Sequence, residues 1–131
     1  MTDRKLLDSL NNLDRSLQNL ERALELPKSQ ELVIEGTIQR FETTIELFWK
    51  TLQRALRYEG LDPKTPRDSV KEAFQLGWLN DESAWLEMLD IRNRTSHQYL
   101  SERYVERNYD SIAKVTPTLR AAFDQLQKRY P

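Results

Sequence analysis

Apolar residues recur along the chain at alternating steps of three and four, which is the spacing of one face of an α-helix. The first such stripe predicts a helix from about Asp3 to Leu26, and Pro27 ends it because proline disfavours the helical conformation of the preceding residue. Its apolar positions are Leu6, Leu10, Leu13, Leu17, Leu20 and Leu24. The sequence has no sustained apolar–polar alternation typical of strands. The pattern therefore predicts an all-α fold.

The clearest stripe predicts a second helix from about Ser29 to Tyr58. Its heptad rhythm keeps one seam against a partner helix throughout. The seam consists of Ile34, Ile38, Phe41, Ile45, Phe48, Leu52 and Ala55. A glycine inside a helix costs about 1 kcal/mol of stability relative to alanine. Gly36 therefore indicates either that this cost is tolerated near the helix start or that another helix approaches closely there. Gly60 then predicts a stop, so the first two helices should form a long antiparallel hairpin.

Two shorter helices are predicted next. A third begins with Thr65 as its cap and Pro66 in its first turn, and Gly77 closes it. Its expected inward residues are Val70, Phe74 and Leu76. Asn80 or Asp81 caps the fourth helix, whose expected inward residues are Trp85, Met88, Leu89 and Ile91.

A fifth helix is predicted from Ser101, and it should be kinked or split at Pro117 because the proline ring clashes with the carbonyl of Ala113. Its buried stripe is Val105, Tyr109, Ile112, Leu119, Phe123 and Leu126. Residues 1–131 are enough for one domain, so we expect a single antiparallel bundle of about five helices. We also expect a homodimer, because a small bundle cannot easily hide all of its aromatic surface. That surface is Phe48, Trp49, Trp78 and Trp85.

Composition narrows the possible functions. The formal net charge of −1 argues against a generally basic protein that coats nucleic acid. One histidine and no cysteine exclude a zinc site, and we expect no metal and no cofactor. No apolar run is long enough to cross a bilayer, and the N-terminus begins an amphipathic pattern rather than a signal segment. These features predict a cytoplasmic protein without membrane contact.

The only histidine, His97, lies in the stretch most suited to chemistry. On a helix, Arg92, Ser96 and Tyr99 share one face because steps of four and seven return to nearly the same angle. Asn93 and His97 lie on the adjacent strip. Arg92 and His97 are five positions apart, so either the arginine reaches across or the helix ends earlier and turns the histidine.

These residue types suit cleavage of RNA without a metal. His97 can take the proton of a ribose 2′-hydroxyl or give one to the leaving 5′-oxygen. Arg92 can bind a phosphate bidentately, and Asn93 can fix the imidazole or bind phosphate. The phosphate track could include Arg94, Arg103 and Arg107. Such a reaction uses one base and one acid, so two chains would supply the two histidines.

A plainer interpretation stays open at this point. The same residues can cap the carbonyls at a helix end and bind solvent, and short motifs have low specificity. Tyr99 is then a partly buried aromatic residue. Arg103 and Arg107 alternate with Glu102 and Glu106, which is typical of a solvated charged face.

The run from Arg92 to His97, followed by Tyr99, resembles the HEPN superfamily and the arginine–four residues–histidine–any–tyrosine motif of its HepT toxins. The whole chain also resembles the nucleotidyltransferase substrate-binding proteins. The shared features are the leucine-rich first helix, the second-helix residues Gly36, Ile38 and Phe41, and the run Ser96-His97-Gln98-Tyr99.

The resemblance implies a helical homodimer and a metal-independent ribonuclease toxin of a toxin–antitoxin pair. Arg92 and His97 would be catalytic, with Asn93, Arg94 and Ser96 in support. A minimal nucleotidyltransferase antitoxin would neutralise the toxin by transferring AMP to Tyr99. The expected substrate is tRNA or mRNA. The alternative is a non-catalytic substrate-binding subunit of a nucleotidyltransferase, and a third possibility is a helical scaffold with a vestigial motif.

Overall fold

Five α-helices follow one another along the chain in the computed structural model. They span Arg4–Glu25 (α1), Val33–Tyr58 (α2), Pro66–Gln75 (α3), Glu82–His97 (α4) and Glu102–Arg129 (α5). The structure describes residues 3–97 and 102–131, with all their side chains except those of residues 96, 97 and 102–104. Within these ranges there is no strand, and no helix is long and apolar enough to cross a membrane. The predicted all-α bundle is confirmed.

The hairpin of α1 and α2 forms the centre of the bundle. The predicted leucines of α1 are buried from Leu6 to Leu20, and the seam of α2 is buried from Ile38 to Ala55. The Ser16 and Thr44 hydroxyl oxygens are 2.7 Å apart, and Arg40 donates to the Asn19 carbonyl at 2.8 Å. Because residue numbers rise on one helix as they fall on the other, the two helices are antiparallel.

The last helix, α5, packs on this hairpin. Its Arg120 guanidinium donates to Asp14 at 3.0 Å and to Glu21 at 2.7 Å, both on α1. The phenol of Tyr130, just beyond α5, donates to Glu59 at 2.7 Å. α5 is one unbroken helix across Pro117, so the proline does not split it. The predicted stripe from Tyr109 to Leu126 is buried.

Two details of α2 bear on the prediction: its start differs from the predicted one, and the surroundings of Gly36 decide between the two explanations of that glycine. The helix begins at Val33 rather than near Ser29, because Leu32 adopts the left-handed conformation with φ 71° and interrupts the helix there. A Cβ added to Gly36 would meet no described atom within 4 Å. The glycine therefore marks no close approach of another described helix of this chain, and tolerance near the helix start explains it.

The predicted start of α3 and its end before Gly77 are confirmed, but two of its three predicted inward residues are wrong. The Thr65 hydroxyl accepts a hydrogen bond from a backbone N–H in the first turn at 3.0 Å, with proline following the cap. Val70 is buried, but Phe74 and Leu76 are 38% and 47% exposed. A ten-residue helix turns only one face to the bundle, and Ala73 rather than Phe74 completes that face.

The aromatic argument for a homodimer is also wrong. Phe48 and Trp85 are buried within one chain, with ring centroids 4.8 Å apart, and Trp78 is buried as well. Trp49 alone of the four is half-buried. One chain thus hides most of this surface without a second copy, and the homodimer stays a prediction that depends on the single histidine.

Candidate functional site

The helix that carries the candidate site, α4, is fixed at both its start and its inner face. Asp81 is its cap: the Asp81 carboxylate accepts from the Ala84 backbone N–H at 3.2 Å. The four predicted inward residues, from Trp85 to Ile91, are buried. The helix continues to His97. It does not end near Thr95, so Arg92 and His97 lie on one helix, five positions apart.

Arg92 is the best-defined member of the predicted site. Its Nη2 atom forms an ion pair with Glu46 of α2, and its Nη1 atom donates to the Asn93 side-chain oxygen at 3.2 Å. Its Nε atom is buried and has no hydrogen-bond partner among the described residues. The side chain is 31% exposed. The guanidinium is therefore held by neighbours and still reaches solvent.

Glu46 connects Arg92 to an indole ring. Its second carboxylate oxygen accepts from Trp49 Nε1 at 3.2 Å, so one carboxylate contacts both side chains. Neither Glu46 nor Trp49 was predicted from the sequence as a site residue. The sequence does contain one indication of Glu46, because this carboxylate stands between Ile45 and Phe48, two apolar residues of the seam that are buried.

These residues border a cavity of about 290 Å³ between α2, the start of α3 and α4. Its apolar wall includes Trp49, Pro66 and Leu89, and its polar wall includes Glu46, Arg67 and Arg92. Asn93 also lines it. The Arg67 Nη2 atom also lies 3.4 Å from the Oδ1 atom of Asp90, and both of these side chains are about half exposed. The cavity thus combines an aromatic face, two guanidinium groups and one carboxylate.

Arg94 lies apart from this cavity. Its Nη2 atom donates to the buried Asn108 side-chain oxygen of α5 at 3.5 Å, and it does not line the cavity. This contact ties α4 to α5. Arg107 of α5 is exposed and the neighbouring Glu106 pairs with Lys28 at 2.9 Å, as expected for a solvated charged face.

The remaining predicted residues are placed only in part. Ser96 and His97 occupy the last turn of α4, but their side chains, like that of Arg103, lie outside the described residues. Tyr99 lies entirely outside them. In the part of the chain that the structure describes, no group of three or more His, Cys, Asp or Glu side chains could hold a metal ion.

Comparison with known proteins agrees with the five-helix fold. The family model described as nucleotidyltransferase substrate binding protein like matches residues 8–128. A Haemophilus influenzae protein named probable ribonuclease HepT is 31% identical over 79% of this chain and 80% of its own. The solved structure of a Thermus thermophilus protein matches with TM-score 0.71 and 31% identity, over 89% of this chain and 97% of that one.

A second solved structure, from Haemophilus influenzae, was reported to reveal the fold of a substrate binding domain of a nucleotidyltransferase. It matches with TM-score 0.78 and 28% identity, over 90% of this chain and 98% of that one. Both solved structures thus share the five-helix arrangement over nearly their whole length.

Proposed function

Because the chain belongs to the nucleotidyltransferase substrate-binding-like family, to which HEPN and HepT-like proteins are related, we propose that it is a metal-independent endoribonuclease of the HEPN type. The relative named probable ribonuclease HepT supports this activity. The observation that carries the proposal is the position of Arg92. Its guanidinium borders an open cavity, is partly exposed, and lies five residues before the only histidine.

The proposed reaction needs no group from outside the protein. His97 removes the proton of a ribose 2′-hydroxyl, whose oxygen forms a bond to the adjacent phosphorus while the bond from phosphorus to the 5′-oxygen breaks. The leaving oxygen takes up a proton from the second histidine of a homodimer. Arg92 binds the non-bridging oxygens and stabilises their growing charge, and Asn93 orients that guanidinium. Ser96 and Arg94 have supporting roles.

We further propose that the protein is the toxin of a toxin–antitoxin pair in the cytoplasm, acting on tRNA or mRNA. A minimal nucleotidyltransferase would neutralise it by AMPylation: the Tyr99 hydroxyl attacks the α-phosphorus of ATP, AMP is transferred and pyrophosphate leaves. The attached AMP adds bulk and negative charge close in sequence to Arg92, which opposes entry of RNA.

The test is cleavage of labelled tRNA and mRNA by the purified protein in the presence of a chelator. We expect cleavage by the wild type, and at least about a hundredfold loss in His97→Ala and Arg92→Ala, because general acid–base catalysis by the histidine and electrostatic stabilisation by the arginine each contribute that much or more. Arg54→Ala, which removes an exposed arginine elsewhere on α2, is the matched control and should cleave normally. Unchanged cleavage in His97→Ala would exclude this mechanism.

A non-catalytic subunit of a nucleotidyltransferase is the second candidate. The family description and the reported fold of the Haemophilus influenzae structure favour it. This function predicts that the purified protein leaves RNA intact and co-purifies with a nucleotidyltransferase when the two are co-expressed. RNA cleavage that depends on His97 would reject it. The intact mass of the Tyr99 peptide after incubation with that enzyme and ATP tests AMP transfer directly.

A further inference from the structure

The cavity beside Arg92 has the size and walls of a site for one planar group. At about 290 Å³ it lies at the lower end of the range for small-molecule sites, which is about 300–1,000 Å³. It is therefore suited to a single base or nucleoside rather than a folded oligonucleotide. Two residues of its wall, Arg67 and Arg92, have side chains that are partly exposed to solvent.

Trp49 supplies a fixed aromatic surface in this cavity. The indole is half-buried, and its N–H donates to Glu46 at 3.2 Å, which restricts the orientation of the ring. Pro66 and Leu89 complete the apolar wall. Proteins that bind single-stranded nucleic acid use such aromatic side chains as stacking platforms beside cationic groups.

The polar wall distinguishes a base from simpler ligands. A free phosphate would meet the Glu46 carboxylate as well as the two guanidinium groups, and a purely apolar ligand would cover these charges without binding them. A nucleobase has a π-face for Trp49 and an edge that can hydrogen-bond to Glu46 or Asn93. Arg92 lies at the junction, because it lines the cavity and has donors left for a phosphate.

We propose that this cavity binds the nucleobase adjoining the scissile phosphate of a single-stranded RNA. The inference rests on the proposed ribonuclease function and adds a base-binding subsite to it. Trp49 is the stacking residue, Glu46 and Asn93 contact the edge of the base, and Arg92 joins the base subsite to the phosphate. Purines should bind more tightly than pyrimidines, because their larger π-face stacks more strongly.

The experiment uses a short 2′-O-methyl RNA, which cannot be cleaved by 2′-oxygen attack, and the same strand with one abasic position. Trp78 and Trp85 are buried, so quenching of tryptophan emission on binding should come from Trp49. We expect saturable quenching in the wild type, and fluorescence polarisation of the end-labelled strand gives the affinity of every variant. Trp49→Phe should bind within about twofold but without quenching, and Trp49→Ala should bind about tenfold more weakly. Circular dichroism checks that each variant is folded.

Arg54→Ala should retain wild-type affinity for this strand, because Arg54 does not line the cavity. The abasic strand should bind the wild type and Trp49→Ala equally. Equal affinity of the wild type and Trp49→Ala for the complete strand would overturn the base subsite. RNA cleavage is a separate readout: normal cleavage and KM in Trp49→Ala would reject the subsite and leave the ribonuclease intact. Binding that requires Trp49, without any cleavage, would reject the ribonuclease instead.

Discussion

Arg92 has more hydrogen-bond donors than its neighbours use. A guanidinium group carries five N–H donors, and Glu46 and Asn93 each accept from one of its terminal nitrogens. The pair with Glu46 therefore orients the side chain and leaves donors for a phosphate. Both partners are about one-third exposed, and an ion pair of this kind contributes only about 0–1 kcal/mol. Binding of a phosphate can therefore displace it.

The first prediction concerns the charge of Glu46. Glu46→Gln keeps a side-chain oxygen that can accept from Trp49 and removes the negative charge that competes with phosphate for Arg92. We expect uncleavable RNA to bind about two- to fivefold more tightly at low salt, with a smaller gain at high salt. Fluorescence polarisation measures this. Glu35→Gln changes the same charge at an exposed position of α2 and should have no such effect. Weaker binding in Glu46→Gln would mean that the charge of the carboxylate helps to bind the base more than it competes with phosphate for Arg92.

The second prediction concerns Tyr130. Burial and the hydrogen bond to Glu59 raise the pKa of the Tyr130 phenol to about 12 from its ordinary value of 10.0. Because the folded pKa is above the unfolded one, this contribution to stability is complete below pH 10 and is lost as the pH rises from 10 to 12. Unfolding free energies should fall across this window in the wild type and fall less in Tyr130→Phe. Tyr109→Phe, which removes another buried tyrosine, should show the same fall in unfolding free energy as the wild type. A wild-type unfolding free energy that stays constant from pH 10 to 12 would contradict the raised pKa of Tyr130.

At the scale of elements, the sequence predicted the helices well because their stripes are long. Six leucines in α1 and seven seam residues in α2 specify one face over many turns, so local exceptions do not change the result. α3 has only ten residues, and its apolar pattern could not separate the buried Val70 from the exposed Phe74. The predicted start of α2 is wrong because Leu32 adopts the left-handed conformation, and a leucine in a sequence does not indicate that conformation.

The third prediction compares two glycines. Gly36 is helical and its missing Cβ would meet open space, so Gly36→Ala should stabilise the protein by about 0.5–1 kcal/mol. Gly77 has φ 77°, which alanine adopts only under strain, so Gly77→Ala should destabilise it by about 1 kcal/mol. Urea unfolding followed by circular dichroism measures both. Destabilisation by Gly36→Ala would reveal that another surface, such as a second chain, packs on this part of α2.

The candidate site was predictable only where its residues are adjacent in sequence. Arg92 and Asn93 were found because they lie in the motif itself. Glu46 and Trp49 come from α2 and Arg67 comes from α3, and only the packing of these two helices on α4 brings them to Arg92. A single sequence contains no record of that pairing. The cavity is therefore a property of the fold rather than of the motif.

At the scale of the whole molecule, charge and histidine count limit the reaction. The net charge is −1, so attraction of RNA must come from local groups such as Arg67 and Arg92 rather than from the overall field. One chain offers one imidazole, but proton transfer at both the 2′- and the 5′-oxygen is most efficient with two groups. A symmetric dimer doubles the number of imidazoles and of local arginines at once. Any dimer interface should therefore lie near the end of α4.

The final prediction tests whether both histidines act in one reaction. Wild-type and His97→Ala chains are mixed at a constant total concentration and allowed to exchange subunits, and the cleavage rate is measured against the wild-type fraction. If each site needs a histidine from both chains, activity should follow the square of that fraction, so an equal mixture retains about a quarter of the wild-type rate. If one histidine suffices, activity should be linear and the equal mixture retains about half. Light scattering must give the mass of two 15.6 kDa chains for the quadratic result to hold. A monomer mass or a linear dependence would place both proton transfers on one imidazole.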